Sequence, residues 1–224
     1  MKILFICSNL IGDTILSSGA IKYFIDQNKE AKLTFVVGPT AAPLLKNYNN
    51  IENIIIFKKR KFNLHWFDIF QKTYNAKWDI VVDFRSSVIS YLLCNNKKYI
   101  FKKNHNIHHI EQLNSSFGFN CSNLLIPTSD DEKNKADEDL DSSFKHIVIF
   151  PGGNWDPKLW SADNFNVTMK LLLEKFHKIK FILVGSLKEK NKFYNEIIKG
   201  IKEDLIIDLF GFNLTLTSAY MQKS

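Results

Sequence analysis

Two side chains in this sequence stand where chemistry could be done: the carboxylate of Asp13 and the ammonium of Lys158. Asp13 follows a short loop at residues 8–12, itself preceded by a stretch over residues 2–7 that is apolar throughout after Lys2. After it, Ile15, Leu16, Ala20, Tyr23 and Phe24 recur at helical spacing. The unit reads as strand, tight loop, helix, and it sets Asp13 beside Gly12 at the carboxyl end of a strand buried on both faces. Ligands of open α/β sheets bind there. Two roles compete for the carboxylate. As an N-cap it would accept a bond from a backbone N–H of the first helical turn; as a general base it needs a lone pair free for the substrate.

Lys158 closes a glycine turn, PGGNWDPKLW at residues 151–160. Glycines such as Gly153, next to Asn154, let backbone N–H groups approach an anion. The helix expected from Ser161 adds positive dipole, and the lysine adds a full charge. That set suits a diphosphate, although the spacing matches neither GxxxxGK[ST] nor GxGxxG. A glycine-rich surface turn is the other reading.

The elements that must hold these groups alternate. Strands are expected over residues 32–37, 51–57, 78–84 and 99–101, with helices over 41–47, 62–74, 86–94 and 109–117. Residues 127–143, PTSDDEKNKADEDLDSS, hold almost nothing apolar and read as an exposed linker. Beyond it the pattern restarts, with strands over 146–150, 181–184 and 205–209 and helices over 161–175 and 188–199. The organisation is two parallel, doubly wound α/β units at 1–126 and 144–224, joined by 127–143. With three strands and two clear helices, the second unit is expected to leave a sheet edge and an apolar face uncovered. Residues 214–224 offer at most one short element.

Composition narrows the partners. The 224 residues carry a net charge of +7, part of it in the run Lys58, Lys59, Arg60 and Lys61, which suits a nucleic acid, a membrane surface, a phosphorylated substrate or a solvated face. Cys7, Cys94 and Cys121 form no CxxC pair, the expectation for a reduced, cytosolic chain. No run approaches the roughly 18 apolar residues of a spanning helix. The six histidines lack ligand spacing and are expected at the surface or an interface, and no metal site is read. The 19 phenylalanines fall on strand and helix faces as core, and no nucleic-acid module is present.

Taken in order, Gly12-Asp13 after the first strand, residues 32–38 followed by Pro39, WDIVVDFRSS at 78–87 and PGGNWDPKLWSADNF at 151–165 resemble the ADP-heptose:lipopolysaccharide heptosyltransferases, glycosyltransferase family nine. The resemblance implies a GT-B-like fold of two Rossmann-like domains, an acceptor domain at 1–126 and a partial nucleotide-sugar domain at 144–224. It implies inverting, metal-independent transfer of a heptose or similar sugar from an ADP-sugar to a lipopolysaccharide core acceptor, with no cofactor beyond that donor. Asp13 matches the catalytic base. Gly12, Gly153, Asn154, Lys158 and, by a softer match, Glu189 fall at donor positions. The basic run, Lys58, Lys59, Arg60 and Lys61, would meet an acidic acceptor at the cytoplasmic face of the inner membrane. Members of that family continue to a D-[ST]-G-x-x-H stretch that this sequence lacks, so a truncated fragment that binds without turnover is the alternative. An unrelated nucleotide-dependent oxidoreductase is a third, opposed by the single glycine in SNLIGD.

Overall fold

The first strand sets the architecture. In β1 (Lys2–Ile6) the side chains alternate between two apolar layers, Ile3 and Phe5 into one and Leu4 and Ile6 into the other. The structure, a computed structural model, describes residues 1–153 and 155–224. These divide into two units, Met1–Pro127 and Thr128–Ser224.

In the first unit β1 is central in a five-stranded, all-parallel sheet with β2 (Lys32–Val37), β3 (Ile51–Ile56), β4 (Trp78–Asp83) and β5 (Asn95–Ile100), in the order β3-β2-β1-β4-β5. The chain winds outward from β1 through β2 to β3, then restarts on the other side at β4. The carboxyl ends of β1 and β4 therefore flank the point where the winding reverses, and a crevice opens there. One face is covered by α1 (Ile11–Gln27) and α4 (His109–Phe117), which bring Ala20, Ile21, Phe24, Leu113 and Phe117 onto Phe5, Phe35 and Phe84. Stacking of Phe5 on Phe35 at 5.2 Å centres that layer. Across the sheet, α2 (His65–Thr73) and α3 (Ile89–Leu92) lay Ile69 and Ile89 on Leu4, Ile6, Val36 and Val81.

Local chemistry trims several expected elements. The helix expected over 41–47 is one 3₁₀ turn, Ala42–Leu45, begun by Pro43. The one expected from residue 62 starts at His65, because Phe62 takes a left-handed backbone with φ 55°. Asp83 shortens the one expected over 86–94. Its carboxylate accepts from the Arg85 N–H at 2.8 Å and from the Ser87 N–H and hydroxyl at 2.6 Å each, which winds the chain into a turn before α3. Strand β5 is longer than its apolar residues foretold. Its start, NNKK, is the polar, lysine-bearing sequence of an edge strand.

The second unit is a three-stranded parallel sheet, β6 (Lys145–Ile149), β7 (Ile179–Gly185) and β8 (Ile206–Phe210), in the order β6-β7-β8. On one face α6 (Ala162–Lys175) and α7 (Leu187–Ile197) cover Phe181 and Leu183. The other face corrects two expectations. Most of the presumed linker is a helix, α5 (Asp130–Asp139), started by a reciprocal capping box between Ser129 and Glu132. With α8 (Leu214–Lys223) it covers Ile182, Val184 and Leu209, so the apolar face is not left bare. Helix α5 has little apolar signature because it docks mainly through Ala136 and through polar bonds, Thr215 to Glu132 and the Tyr220 phenol to Asp139. Burial and the Asp139 carboxylate together raise the Tyr220 pKa. Among the described residues, no helix is long and apolar enough to cross a membrane.

Candidate functional site

The loop after β1 is held open by a close backbone approach. A Cβ on Gly38, at the end of β2, would lie 2.2 Å from the Cβ of Asn9, so only glycine lets the loop pass there. The loop then turns into α1 with Leu10 as N-cap and no side-chain cap bond, which places Asp13 inside the first turn. Asp13 is thus not the N-cap. Its Oδ2 accepts from the Ser8 hydroxyl at 2.9 Å, and that hydroxyl accepts in turn from the Leu10 N–H at 3.2 Å. Oδ1 has no hydrogen-bond partner among the described residues, so one oxygen is oriented and the other is free.

Around Asp13 lies a cleft of about 550 Å³ at the carboxyl ends of β1, β4 and β5. Arg85 and Ser86 reach it from the end of β4, Lys103 from beyond β5, His109 from the start of α4, and Lys59 from the loop after β3. Of the expected basic run, only Lys59 lines this cleft. Lys58 and Arg60 border a separate hollow, where Arg60 pairs with Asp68 at 2.7 Å, and Lys61 is exposed.

Arg85 is the residue that sequence reasoning passed over. Its guanidinium sits 5.0 Å from the Trp66 ring centroid and 5.3 Å from that of Phe57, yet forms no ion pair and no side-chain hydrogen bond among the described residues. Nη1 is buried without a partner. Burial lowers its pKa, against the raising influence of Asp83 and then Asp13. Burial likewise lowers the His109 pKa, again opposed by Asp13. The sequence signals for Arg85 were its place just past a strand and inside the segment 78–87. Of the histidines, His65 is buried against Phe57, unlike the surface or interface place expected, and His109 lines the cleft.

The donor-type positions belong mostly to the second unit. Lys158 ends a 3₁₀ turn, Asp156–Lys158, with its ammonium 5.2 Å from the Trp155 ring centroid and no ion pair among the described residues. Glu189 is the third residue of α7, and its Oε2 accepts from the Ser186 N–H at 2.7 Å and hydroxyl at 2.8 Å. Its other oxygen lies against Gly152, where a Cβ would be only 1.7 Å away. The turn and the head of α7 are therefore in contact, and Gly153 lies in that turn. Asn154 falls outside the described residues. Gly12, in the first unit, is exposed, and a Cβ there would meet nothing. No group of three or more His, Cys, Asp or Glu able to hold a metal occurs among the described residues.

No protein-family model matches this sequence, and no curated protein does. Solved structures do match. A glycosyltransferase family 9 protein from Veillonella parvula DSM 2008 aligns at a TM-score of 0.72 and 18% identity, over 99% of this chain and 72% of that one. The E. coli ADP-heptose lipopolysaccharide heptosyltransferase II aligns at 0.66 and 18%, over 99% and 76%. The E. coli heptosyltransferase WaaC, solved with ADP-2-deoxy-2-fluoro heptose, aligns at 0.69 and 15%, over 98% and 79%. The chain shares the GT-B-like fold of these glycosyltransferases, as the order of its motifs implied.

Proposed function

We propose that this chain is a glycosyltransferase of family nine type, which transfers a heptose or similar sugar from an ADP-sugar to an acidic, lipopolysaccharide-like acceptor. The observation that carries the reading is Asp13: one oxygen is held by Ser8, and the other is unbonded in a cleft at the switch point of a doubly wound sheet. An N-cap would have used that lone pair, whereas a base must keep it.

In this reading Asp13 takes the proton from an acceptor hydroxyl as it attacks the sugar carbon, a contribution of roughly 10² to 10⁴ in rate. Inversion follows from a single displacement. Charge building on the departing ADP is met by Lys158 and by the backbone N–H groups of the glycine turn at Gly153. Glu189, at the position where that family uses an acidic residue on the nucleotide ribose, meets the ribose with the oxygen not bound to Ser186. Arg85 clamps a carboxylate or phosphate of the acceptor: a planar, unpaired guanidinium held by two rings is preorganised for a bidentate anion. Lys59 and Lys103 add to the field in that cleft. The remaining basic residues, Lys58, Arg60 and Lys61, face a cytoplasmic membrane surface that carries the acceptor.

Calorimetric titration with ADP and with ADP-heptose tests the donor half, and release of ADP in the presence of a lipopolysaccharide core acceptor tests the whole. Saturable nucleotide binding is expected. Its absence would leave a chain that binds an acceptor without turnover.

A further inference from the structure

Just before α2 the chain shows solvent an arrangement that the catalytic reading does not use. Phe62 is 92% exposed, Leu64 50% and Phe67 61%, three large apolar side chains within six residues. Leu64 and Phe67 lie three apart where the helix begins, with the Phe67 N–H bonded to the Leu64 carbonyl at 3.1 Å, so they share a face. Phe62 is held with φ 55° and ψ 23°, a conformation that costs a non-glycine residue about 1–2 kcal/mol. No burial offsets that cost in the free chain. Immediately before these residues stand Lys58, Lys59, Arg60 and Lys61, all exposed, and no acidic residue intervenes before Asp68. Behind the loop is a hollow of about 180 Å³ bordered by Lys58, Arg60 and Lys72 over an apolar floor that includes Ile55 and Ile56.

Exposed aromatics next to a dense positive run fit one environment at once, the boundary between anionic headgroups and acyl chains. A nucleic acid would use the charge but leave Leu64 without a role. A protein groove could take the apolar residues but gives no reason for four successive cations. We propose that residues 58–67 form a membrane-docking wedge, in which Phe62, Leu64 and Phe67 enter the interface of an anionic bilayer, the basic run holds lipid phosphates, and Lys59, which also lines the Asp13 cleft, marks where a lipid-anchored acceptor rises toward the base. This deepens the acceptor half of the reading above and rests on it for its purpose.

The test is cosedimentation of the full chain with phosphatidylcholine vesicles and with vesicles that also contain phosphatidylglycerol. Binding is expected to the second kind only, and to fade as salt shortens the Debye length. The triple substitution Phe62→Ser, Leu64→Ser, Phe67→Ser leaves the charge unchanged and should weaken partitioning at least tenfold. Lys58→Gln and Lys61→Gln should each cost about fivefold. Because all three apolar side chains are exposed, the triple variant should keep its circular dichroism and its ADP binding. No binding to anionic vesicles, or binding that the triple variant retains, overturns the wedge. If vesicle binding fails while ADP still binds, only this inference falls. Vesicle binding that follows the predicted variants without any nucleotide binding supports the wedge and sinks the transferase reading.

Discussion

Replacing Arg85 by Met separates a residue kept for a ligand from one kept for the fold. Loss of the two ring contacts at 5.0 and 5.3 Å should cost about 0.5–1 kcal/mol each. The methionine thioether takes the same place beside Phe57 and Trp66 and returns about 0.3–1.5 kcal/mol through sulfur–aromatic contact. Removing a buried, unpartnered N–H relieves about 1–3 kcal/mol of desolvation. The sum favours the variant by about 1 kcal/mol. Urea unfolding followed by tryptophan fluorescence should therefore show a midpoint at or above that of the parent, with an unchanged slope. The same variant should lose affinity for glucuronate and glucose 1-phosphate at least tenfold while glucose, the neutral control, is unaffected. Destabilisation by 2 kcal/mol or more would refute the reasoning: Arg85 would then be a structural pillar. Equal loss for glucose would refute the anion clamp.

Asp13→Asn should lower transfer by roughly 10² to 10⁴ while leaving the unfolding midpoint and ADP affinity in place, and a parallel loss of ADP binding would make the carboxylate structural. Gly152→Ala puts a Cβ 1.7 Å from the Glu189 carboxylate, so Glu189 must leave Ser186. The Ser186 hydroxyl still caps the Glu189 N–H, so losing the reciprocal half of the capping box should cost about 0.5–1.5 kcal/mol in an unfolding titration and weaken ADP binding with it. Ala136→Glu places a charge at a fully buried contact between α5 and the sheet, and should unfold the second unit, seen as lost protection from hydrogen exchange over β6 to β8. Burial, with the Arg85 and Lys59 charges, lowers the His65 pKa below its ordinary 6.5. The unfolded chain then binds the extra proton, so stability is present above about pH 6.5 and is lost as pH falls through the lower folded value. His65→Gln should flatten that acid limb, and an unchanged limb would exclude His65 as its source.

Periodicity and end signals alone determined much of this protein. The two-sided apolar run at residues 3–7 could only be a buried strand, and the alternation after it only a parallel, doubly wound sheet. From that pattern Asp13 had to stand at a strand's carboxyl end, and Gly118 had to end α4, where it adopts φ 81°. What the pattern left open was decided by contacts between distant residues. Helix α5 hid because a helix docked through Ala136 and polar bonds to Thr215 and Tyr220 has no apolar stripe to announce it. Asp13 as cap or base could not be settled locally, since both positions lie in the same first turn. Only in three dimensions does the cap position fall to Leu10 and the Ser8 hydroxyl come onto the Asp13 carboxylate. Arg85 became visible only when β4 placed it beside both Phe57, from the end of β3, and Trp66, from α2. Periodicity reports which face of an element is apolar, because that follows from the repeat of the backbone; which side chains from separate elements meet depends on how the sheet is wound.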